Sequence, residues 1–456
     1  MKRKLLGLAV AALLPLSAQA QQTSVSQDEL DSVMEQVRQL QQQVKALQAK
    51  LEQQQSSDDT EPSSKPDPDK HTIDRVSVSS QERREFIDAR LGELEEEVKD
   101  AQNPPIRVGG AVRFQYVYAD YDADNRDRAG DLDFDLVRID FNGEINDVIL
   151  AAQYRWFQYM EAVQKAYVGY NFTDHWQGQV GIINVPYGNI PYNSHNYFFS
   201  SNFYVGLEDN PESGINFQYR SKDWDWDIGF MKGDEQGGVD GFVDSRADRY
   251  AYDAVGIRLD GEGIYDAPSL QVAKSNYWAV RGARKFHFAD GDKLELGLST
   301  QIGDLHDGND SVGDREVYGA HARFNSGPWE LMGMVSRYDF DTDVANQGIV
   351  TGAYAYFDTM PSAATLYTAN VAYDLPVNIG PVSALRFYDN FSLMSAKNGL
   401  EDDTFMNVLG MAVSAGGLYT YFDIVTAENH PFVGGTMGAD GGQTNTRFNI
   451  NFGYYF

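Results

Sequence analysis

The amino-acid sequence predicts an all-β fold: a 16-stranded antiparallel transmembrane β-barrel, preceded by an N-terminal α-helical coiled-coil extension. Three observations support this prediction. The chain opens with an export signal, its second part alternates apolar and polar residues with period two, and the connections between the alternating segments are short at one end and mostly long at the other, as in outer-membrane barrels.

Residues 1–20, MKRKLLGLAVAALLPLSAQA, have the three parts of a secretory signal peptide. The basic residues Lys2–Lys4 precede an apolar run that is too short to span a bilayer, and Ala18 and Ala20 mark the expected cleavage site. The chain holds no cysteine, which excludes disulfides. The formal net charge of −30, without a basic cluster, argues against a nucleic-acid partner.

Two helical segments and a linker are predicted before the barrel. Within residues 21–55, Leu and Val recur at alternating steps of three and four from Leu30 to Leu51, which predicts a periplasmic coiled coil. A single helix docked on the barrel is the alternative interpretation of this stripe. Residues 56–80 are rich in Pro, Ser and Asp and predict a flexible linker. Residues 81–103 predict a second short helix.

From residue 106 to residue 456 the pattern is that of strands, and the last one illustrates it. In TRFNINFGYYF, Thr446–Phe456, apolar residues occupy every second position and polar or small residues lie between most of them. The apolar face consists of Phe448, Ile450, Phe452, Tyr454 and Phe456. We expect this face to contact lipid.

Connection lengths distinguish a membrane barrel from a soluble sandwich. Sixteen alternating segments fit between residues 106 and 456. Short connections after the even-numbered segments and mostly long ones after the odd-numbered segments predict periplasmic turns and extracellular loops. The predicted long loops are 120–131, 187–212, 234–276, 304–315, 340–364 and 428–442. Tyr250–Asp260 also looks like a strand, and with another segment it would raise the number of strands to 18.

One segment of the barrel, Val163–Gly188, resembles the phosphate-selective porin O/P family, in which a strand ends Gly-x-x-x-x-Pro-aromatic-Gly. The matching residues here are Ala166, Tyr167, Gly181, Pro186, Tyr187 and Gly188. Arg284–Ser299 resembles a later strand–turn–strand of the same family. A coiled coil before the barrel is also similar to the dicarboxylate-type trimeric porins.

The resemblance implies a water-filled porin of the outer membrane that forms a homotrimer, with its N-terminal extension in the periplasm. It implies that the loop after the fifth strand folds into the lumen. The partners to expect are outer-membrane lipid and lipopolysaccharide, small-molecule or ion solutes, and the barrel-assembly machinery. The alternating final strand with its terminal aromatic residue resembles the signal that this machinery reads.

The loop of about residues 187–212 is the predicted pore constriction. A phosphate filter needs the donors of Lys and Arg, yet neither occurs between Lys165 and Arg220. The loop offers aromatic and amide side chains, which suit sugar faces, aryl solutes and hydroxyl groups. The candidate constriction residues are Tyr192, Asn193, His195, Tyr197, Phe198, Phe199, Phe203 and Tyr204. The alternative is that the rings anchor the loop to the barrel wall or to the trimer interface.

Charged residues occupy lumen-facing positions on the first three strands. Arg113, Arg138 and Arg155 have this phase, and Asp140 shares it. Opposed basic and acidic rows would produce a transverse field across the pore. The alternative is a solvated lumen in which these charges pair with one another.

Catalysis and metal binding are not expected. The seven histidines are scattered, and the sequence holds neither GxSxG nor HExxH. We therefore predict a protein that is not an enzyme and has no cofactor and no metal site. The predicted function is passive diffusion of small hydrophilic solutes. An anion-selective porin, for phosphate or carboxylate, and an envelope-tethering structural barrel are the alternatives.

Overall fold

The computed structural model of the protein describes residues 106–289 and 291–456. The predicted signal peptide, coiled coil, linker and second helix lie outside the described residues. The strands, numbered in chain order, are β1 (Ile106–Ala119), β2 (Asp131–Ile145), β3 (Val148–Phe157), β4 (Glu161–Asn171), β5 (Trp176–Asn184), β6 (Pro211–Arg220), β7 (Trp224–Asp234), β8 (Asp253–Ile257), β9 (Leu270–Gln271), β10 (Ala273–His287), β11 (Lys293–His306), β12 (Ser311–Ser326), β13 (Trp329–Thr342), β14 (Ile349–Ala353), β15 (Tyr356–Met360), β16 (Ala363–Ile379), β17 (Val382–Ser395), β18 (Thr404–Ala415), β19 (Leu418–Glu428) and β20 (Asn445–Tyr455).

Sixteen of these strands form one closed antiparallel barrel. Its order is β1 to β7, then β10 to β13, then β16 to β20, and β20 pairs with β1 to close it. Each barrel strand therefore pairs with the barrel strands that come before and after it in the sequence. No strand edge is left with unpaired main-chain groups, as a membrane barrel requires. The predicted antiparallel barrel and the lower of the two predicted strand numbers are confirmed.

The other four strands form a second sheet, the outer sheet, in the order β15-β14-β8-β9. Strands β8 and β9 come from the connection between β7 and β10, and β14 and β15 from the connection between β13 and β16. The strand expected within Tyr250–Asp260 therefore exists as β8, but it pairs with β14 rather than entering the barrel wall. Two loops that expose strand edges thus satisfy each other's main-chain groups.

The two faces of the barrel wall differ in polarity. Within β5, Gln177 and Gln179 face inward and are buried, whereas Trp176 and Val180 face outward and are exposed. Large apolar residues on the outside and amides on the inside invert the arrangement of a soluble barrel and suit a lipid surround. In β20 the side chains of Phe448, Ile450, Phe452 and Tyr454 alternate with the buried side of the strand and occupy its outward phase, and Phe456 directly follows the strand. Among the described residues, no helix is both long and apolar enough to cross a bilayer.

Connection lengths follow the prediction, with one exception. The predicted loop 304–315 is wrong, because β11 and β12 continue to His306 and from Ser311. Only residues 307–310 connect the two strands, and the Asp307 carboxylate accepts the backbone N–H groups of Asn309 and Asp310. A turn that is closed by an aspartate side chain in this way needs few residues. The first long connection also holds a short helix, α1 (Ala123–Asp127), capped by Asp122.

Candidate functional site

The connection between β5 and β6, residues 185–210, lies inside the barrel, and we call it the lumen loop. Its backbone N–H at Gly188 donates to Ser299 on β11 (3.0 Å), and its N–H at His195 donates to Asn390 on β17 (2.8 Å). Strand β5 itself pairs only with β4 and β6. The loop therefore crosses the lumen to reach the far wall, as the predicted constriction loop would.

Side chains of the wall satisfy the main chain of the lumen loop. Arg281 Nε donates to the carbonyl of Gly188 (2.7 Å). The guanidinium of Arg323 donates to the carbonyls of Ile190 (3.0 Å) and Tyr192 (3.2 Å). Main-chain groups that are withdrawn from water need such partners. The wall strands contribute mainly side chains, because most of their N–H and C=O groups already form the barrel ladder; the carbonyl of Gly333, which accepts from the side chain of Asn189 (3.2 Å), is an exception.

The loop is also held from within by a buried carboxylate. Glu208 accepts the N–H groups of Asn193 (2.8 Å) and Ser200 (3.2 Å), together with the hydroxyl of Ser200. A 3-10 helix, Phe203–Val205, follows, and Gly206 ends it with a φ of 72°, which favours glycine. These contacts give the loop a defined shape in addition to its attachment to the wall.

A cavity of about 170 Å³ lies between the lumen loop and the wall formed by β1, β2, β3 and β20. The loop contributes the rings of Tyr192, Tyr197, Phe198, Phe199, Phe203 and Tyr204. The end of β3, the turn after it and the extracellular loops contribute Phe157, Tyr159, Tyr250, Tyr354 and Phe432. The polar lining consists of Arg113, Gln115, Asp135, Arg155 and Arg447. We call this space the ring cavity.

Six of the eight candidate constriction residues therefore line the ring cavity, and two do not. Asn193 donates to Thr368 Oγ1 on β16 (2.7 Å). His195 lies against Asn390, and its Nε2 is 3.4 Å from a carboxylate oxygen of Glu330. Asn193 and His195 thus anchor the loop to the wall, a role that the alternative interpretation had given to the rings of the loop.

Two of the four candidate wall charges lie at the ring cavity and two do not. Arg113 and Arg155 line the ring cavity, whereas Arg138 and Asp140 do not. Arg138 Nε donates to Asp140 at 3.0 Å, and Gln153 donates to the same carboxylate at 2.6 Å. The pairing of Arg138 with Asp140 is the arrangement that the solvated-lumen alternative describes.

The residue selection from sequence omitted part of the cavity lining. Arg447 shares the inward phase of β20 with Asn449 and Asn451, so the alternation of the final strand was the available signal. Asp135 could not be found in this way, because a β-bulge between Phe134 and Leu136 takes it out of the phase of Arg138 and Asp140. The rings of Tyr354 and Phe432 carry no such signal, because they lie in loops with no regular phase.

Each arginine of the cavity lies over an aromatic ring. The guanidinium carbon of Arg155 is 4.1 Å from the ring centre of Tyr250, and that of Arg447 is 5.0 Å from the ring centre of Phe198. The guanidinium carbon of Arg113 is 5.4 Å from the ring centre of Tyr197. Cations on ring faces at these distances are attracted by the ring quadrupole. The arrangement combines positive charge with flat apolar surface in one small space.

The outer sheet packs its rings against the lumen loop and is fixed by buried charges. Arg249 lies 3.2 Å from Asp234 and 3.1 Å from Asp253. Lys274 lies 2.6 Å from Glu212 and 2.8 Å from Asp253. Buried ion pairs of this kind require close geometry to offset their loss of hydration.

A second buried carboxylate joins the outer sheet to the last extracellular loop. Asp358 on β15 accepts the hydroxyl of Thr436. Burial raises the pKa of Asp358 to about 7, although the Thr436 hydroxyl and nearby N–H groups act in the opposite direction. A pKa of about 7 places the change of charge of this carboxyl near neutral pH, at a contact between two long connections of the barrel.

Comparison with known proteins identifies the family. The model of phosphate-selective porin O and P matches residues 108–358, which is more than half of the chain. No curated protein matches the sequence.

Solved outer-membrane proteins share low sequence identity with the chain. The anion-selective porin from Comamonas acidovorans is 12% identical, with a TM-score of 0.47 over 77% of this chain and 99% of its own. The channel DcaP of Acinetobacter baumannii is 11% identical, with a TM-score of 0.49 over 77% and 97%. OmpT of Vibrio cholerae is 12% identical, with a TM-score of 0.45 over 77% and 97%. On the family match, the chain belongs to the phosphate-selective porin O and P family and is a diffusion channel of the outer membrane.

Proposed function

We propose that this porin passes small hydrophilic solutes by passive diffusion and that the lumen loop with its facing arginine wall selects among them. The observation that carries the proposal is the course of the lumen loop from β5 across to β17. A loop fixed in this way narrows the path and excludes solutes by size. The rings and the charges around the ring cavity then favour some solutes over others.

Anion selectivity is the second candidate, and the charge of the cavity lining favours it. Among the described residues that line the ring cavity, three are arginines and one is an aspartate. The lumen loop itself has no Lys or Arg, but the wall supplies the guanidinium groups. A positive lining raises the local concentration of anions in a narrow, low-dielectric path.

The assembly of the protein is part of the same proposal. Three barrels associate, and the N-terminal extension stays in the periplasm as a coiled coil. The apolar outer face of the barrel contacts outer-membrane lipid, and the extracellular loops contact lipopolysaccharide. The final strand, with Phe448, Ile450, Phe452, Tyr454 and Phe456 on its outward face, is read by the barrel-assembly machinery.

The reversal potential of the purified protein in a planar bilayer under a KCl gradient tests the proposal. We expect ion conductance with a moderate anion preference. Block by added inorganic phosphate would favour a phosphate filter over a general channel with a positive lining. A complete lack of conductance would contradict the channel and favour a structural, envelope-tethering barrel.

A further inference from the structure

We propose that the ring cavity is a binding site for aromatic monocarboxylates, acids of the benzoate type. This inference rests on the proposed function, to which it adds the class of solute. It follows from three properties of the ring cavity: its rings, its buried cation, and the few hydrogen-bonding groups that it leaves for other solutes.

The rings are arranged around a space of the size of one further ring. Within the lining, Phe199 and Phe203 stack at 4.3 Å, and Phe157 meets Tyr354 edge-on at 5.6 Å. Aromatic rings pack with centroids about 4.5–7 Å apart. The cavity of about 170 Å³ is close in volume to an engineered apolar cavity of roughly 150 Å³ that binds benzene. A single aryl ring therefore fits.

Three of the six tyrosine hydroxyls around the cavity donate to acceptors of the protein. Tyr197 donates to Asp135 (3.2 Å), and Tyr250 donates to Asp209 (2.6 Å). Tyr204 donates to the carbonyl of Phe198 (3.0 Å). A sugar needs many partners for its own hydroxyls, so it would leave polar groups unsatisfied here. An aryl ring has no such requirement.

Arg447 supplies the charge that a carboxylate would meet. Its side chain is buried at 9% exposure, and it donates to neutral oxygens, those of Asn449 (3.0 Å), Phe432 (3.4 Å) and the Tyr121 hydroxyl. Its Nε has no acceptor in the structure. Asp423 interacts with Arg447 electrostatically, but it accepts its hydrogen bonds from other residues of the wall and loop. A bound carboxylate would provide the acceptor that the Nε of this guanidinium lacks.

The rest of the lining favours one negative charge over two. Of the other two arginines, Arg113 already donates to the Asp135 carboxylate (2.9 Å), and Arg155 donates to Gln153 (2.6 Å) and lies over the ring of Tyr250. A phosphate dianion would need a full shell of donors to replace its hydration, whereas most of the lining is aromatic. An aryl monocarboxylate matches this lining, because its ring would contact the aromatic rings and its carboxylate would contact Arg447.

Binding is tested by ¹⁹F NMR with 4-fluorobenzoate added to the full mature chain in detergent, with unlabelled competitors. Cyclohexanecarboxylate has the charge without the aromatic ring, and benzamide has the ring without the charge. We expect both competitors, and inorganic phosphate, to displace the probe at least ~10-fold less effectively than benzoate does. Equal displacement by cyclohexanecarboxylate, or stronger displacement by phosphate, would overturn the proposal.

Variants locate the site. We expect Arg447→Gln to weaken 4-fluorobenzoate binding at least ~10-fold. Arg337→Gln is the matched control, because Arg337 is exposed on the outer side of β13 and pairs with Asp339; its binding is expected to stay unchanged. If Arg447→Gln does not assemble, Phe432→Leu, in an extracellular loop, provides the test through the loss of one ring. Unchanged binding in the assembled variant would overturn the proposal.

Conductance measured on the same preparations separates this inference from the proposed function. A conducting protein that does not bind 4-fluorobenzoate would refute the aryl site and leave the porin intact. A protein that binds the probe through Arg447 but does not conduct would retain the site and refute the diffusion path.

Discussion

The lumen loop and the outer sheet both fill the interior and mouth of the barrel, but they are held in different ways. The lumen loop attaches through side chains, such as Asn193 to Thr368 and Ser201 to Ser392. The outer sheet is held by a main-chain ladder between β8 and β14 and by buried ion pairs around Arg249 and Lys274. The difference follows from what each segment finds beside it.

A segment inside a closed barrel meets strands whose main-chain groups are already paired. It can attach only through side chains, so amides, hydroxyls and arginines are needed on one partner or the other. Two long loops at the mouth meet each other with free main-chain groups and therefore pair as strands. The comparison predicts that the outer sheet depends on a few charges, whereas the lumen loop depends on many small contacts.

The largest effect is expected from Arg249→Met, which removes the charge shared by Asp234, Glu235 and Asp253. Breaking a buried ion cluster by removing one partner costs about 3–5 kcal/mol. We expect residues 235–272 to become sensitive to limited proteolysis while the lumen loop stays protected. Arg337→Gln, at an exposed pair, is the control, and a protected outer sheet in Arg249→Met would contradict the comparison.

The contact at Asp358 should depend on pH. The pKa of Asp358 rises from 3.8 to about 7 on burial, so the folded state binds more protons than the unfolded state between these values. The resulting contribution to the free energy of unfolding is fully present below about pH 4 and is lost as the pH rises through 7. In total it amounts to about 4 kcal/mol.

Hydrogen exchange of residues 429–444 at pH 5 and pH 8 measures this dependence. After division by the base-catalysed intrinsic exchange rate at each pH, we expect less protection at pH 8 than at pH 5 in the wild type and a smaller difference in Asp358→Asn, because the amide carries no charge at either pH. An unchanged pH difference in Asp358→Asn would assign it to another group, such as Glu235, whose pKa burial also raises to about 7.

A moderate effect is expected from Asn390→Leu on the lumen loop. Asn390 accepts from the N–H of His195 and from the amide of Asn196, and orphaned buried donors cost about 1–3 kcal/mol. Single-channel recordings should show larger current fluctuations as the loop detaches more often. Asn407→Ala, which removes an exposed bond to Asp389, should record like the wild type. Equal noise in both variants would argue against side-chain anchoring.

The smallest effect is expected from Ser392→Ala, which removes the partner of Ser201 N and Oγ. A neutral hydrogen bond contributes about 1 kcal/mol. Conductance should change little in the single variant. In the double variant with Asn390→Leu, the current fluctuations should exceed those of either single variant. If the effect of the double variant were well below the sum of the two single effects, one contact alone would hold the loop.

The sequence alone determined the barrel: the positions of most strands, their inward and outward phases, and the sorting of most connections. Period-two alternation reports this directly, because lipid on one side and a polar lumen on the other impose opposite polarity on successive residues. The family resemblance implied the inward course of the lumen loop, and the composition of the loop pointed to six rings that line the ring cavity. The sequence pattern misjudged residues 304–315, where two strands continue almost to a tight turn.

Only the tertiary structure decided how distant segments meet. Closure of the barrel brings Arg447 on β20 beside Arg113 on β1 in one lining, and β8 finds its partner in β14, about ninety residues later in the chain. Asn193 and His195 turn to the wall rather than to the cavity because their partners lie on strands far along the sequence. Local periodicity carries the phase of each strand, but it holds no information on which loops pack together across the lumen.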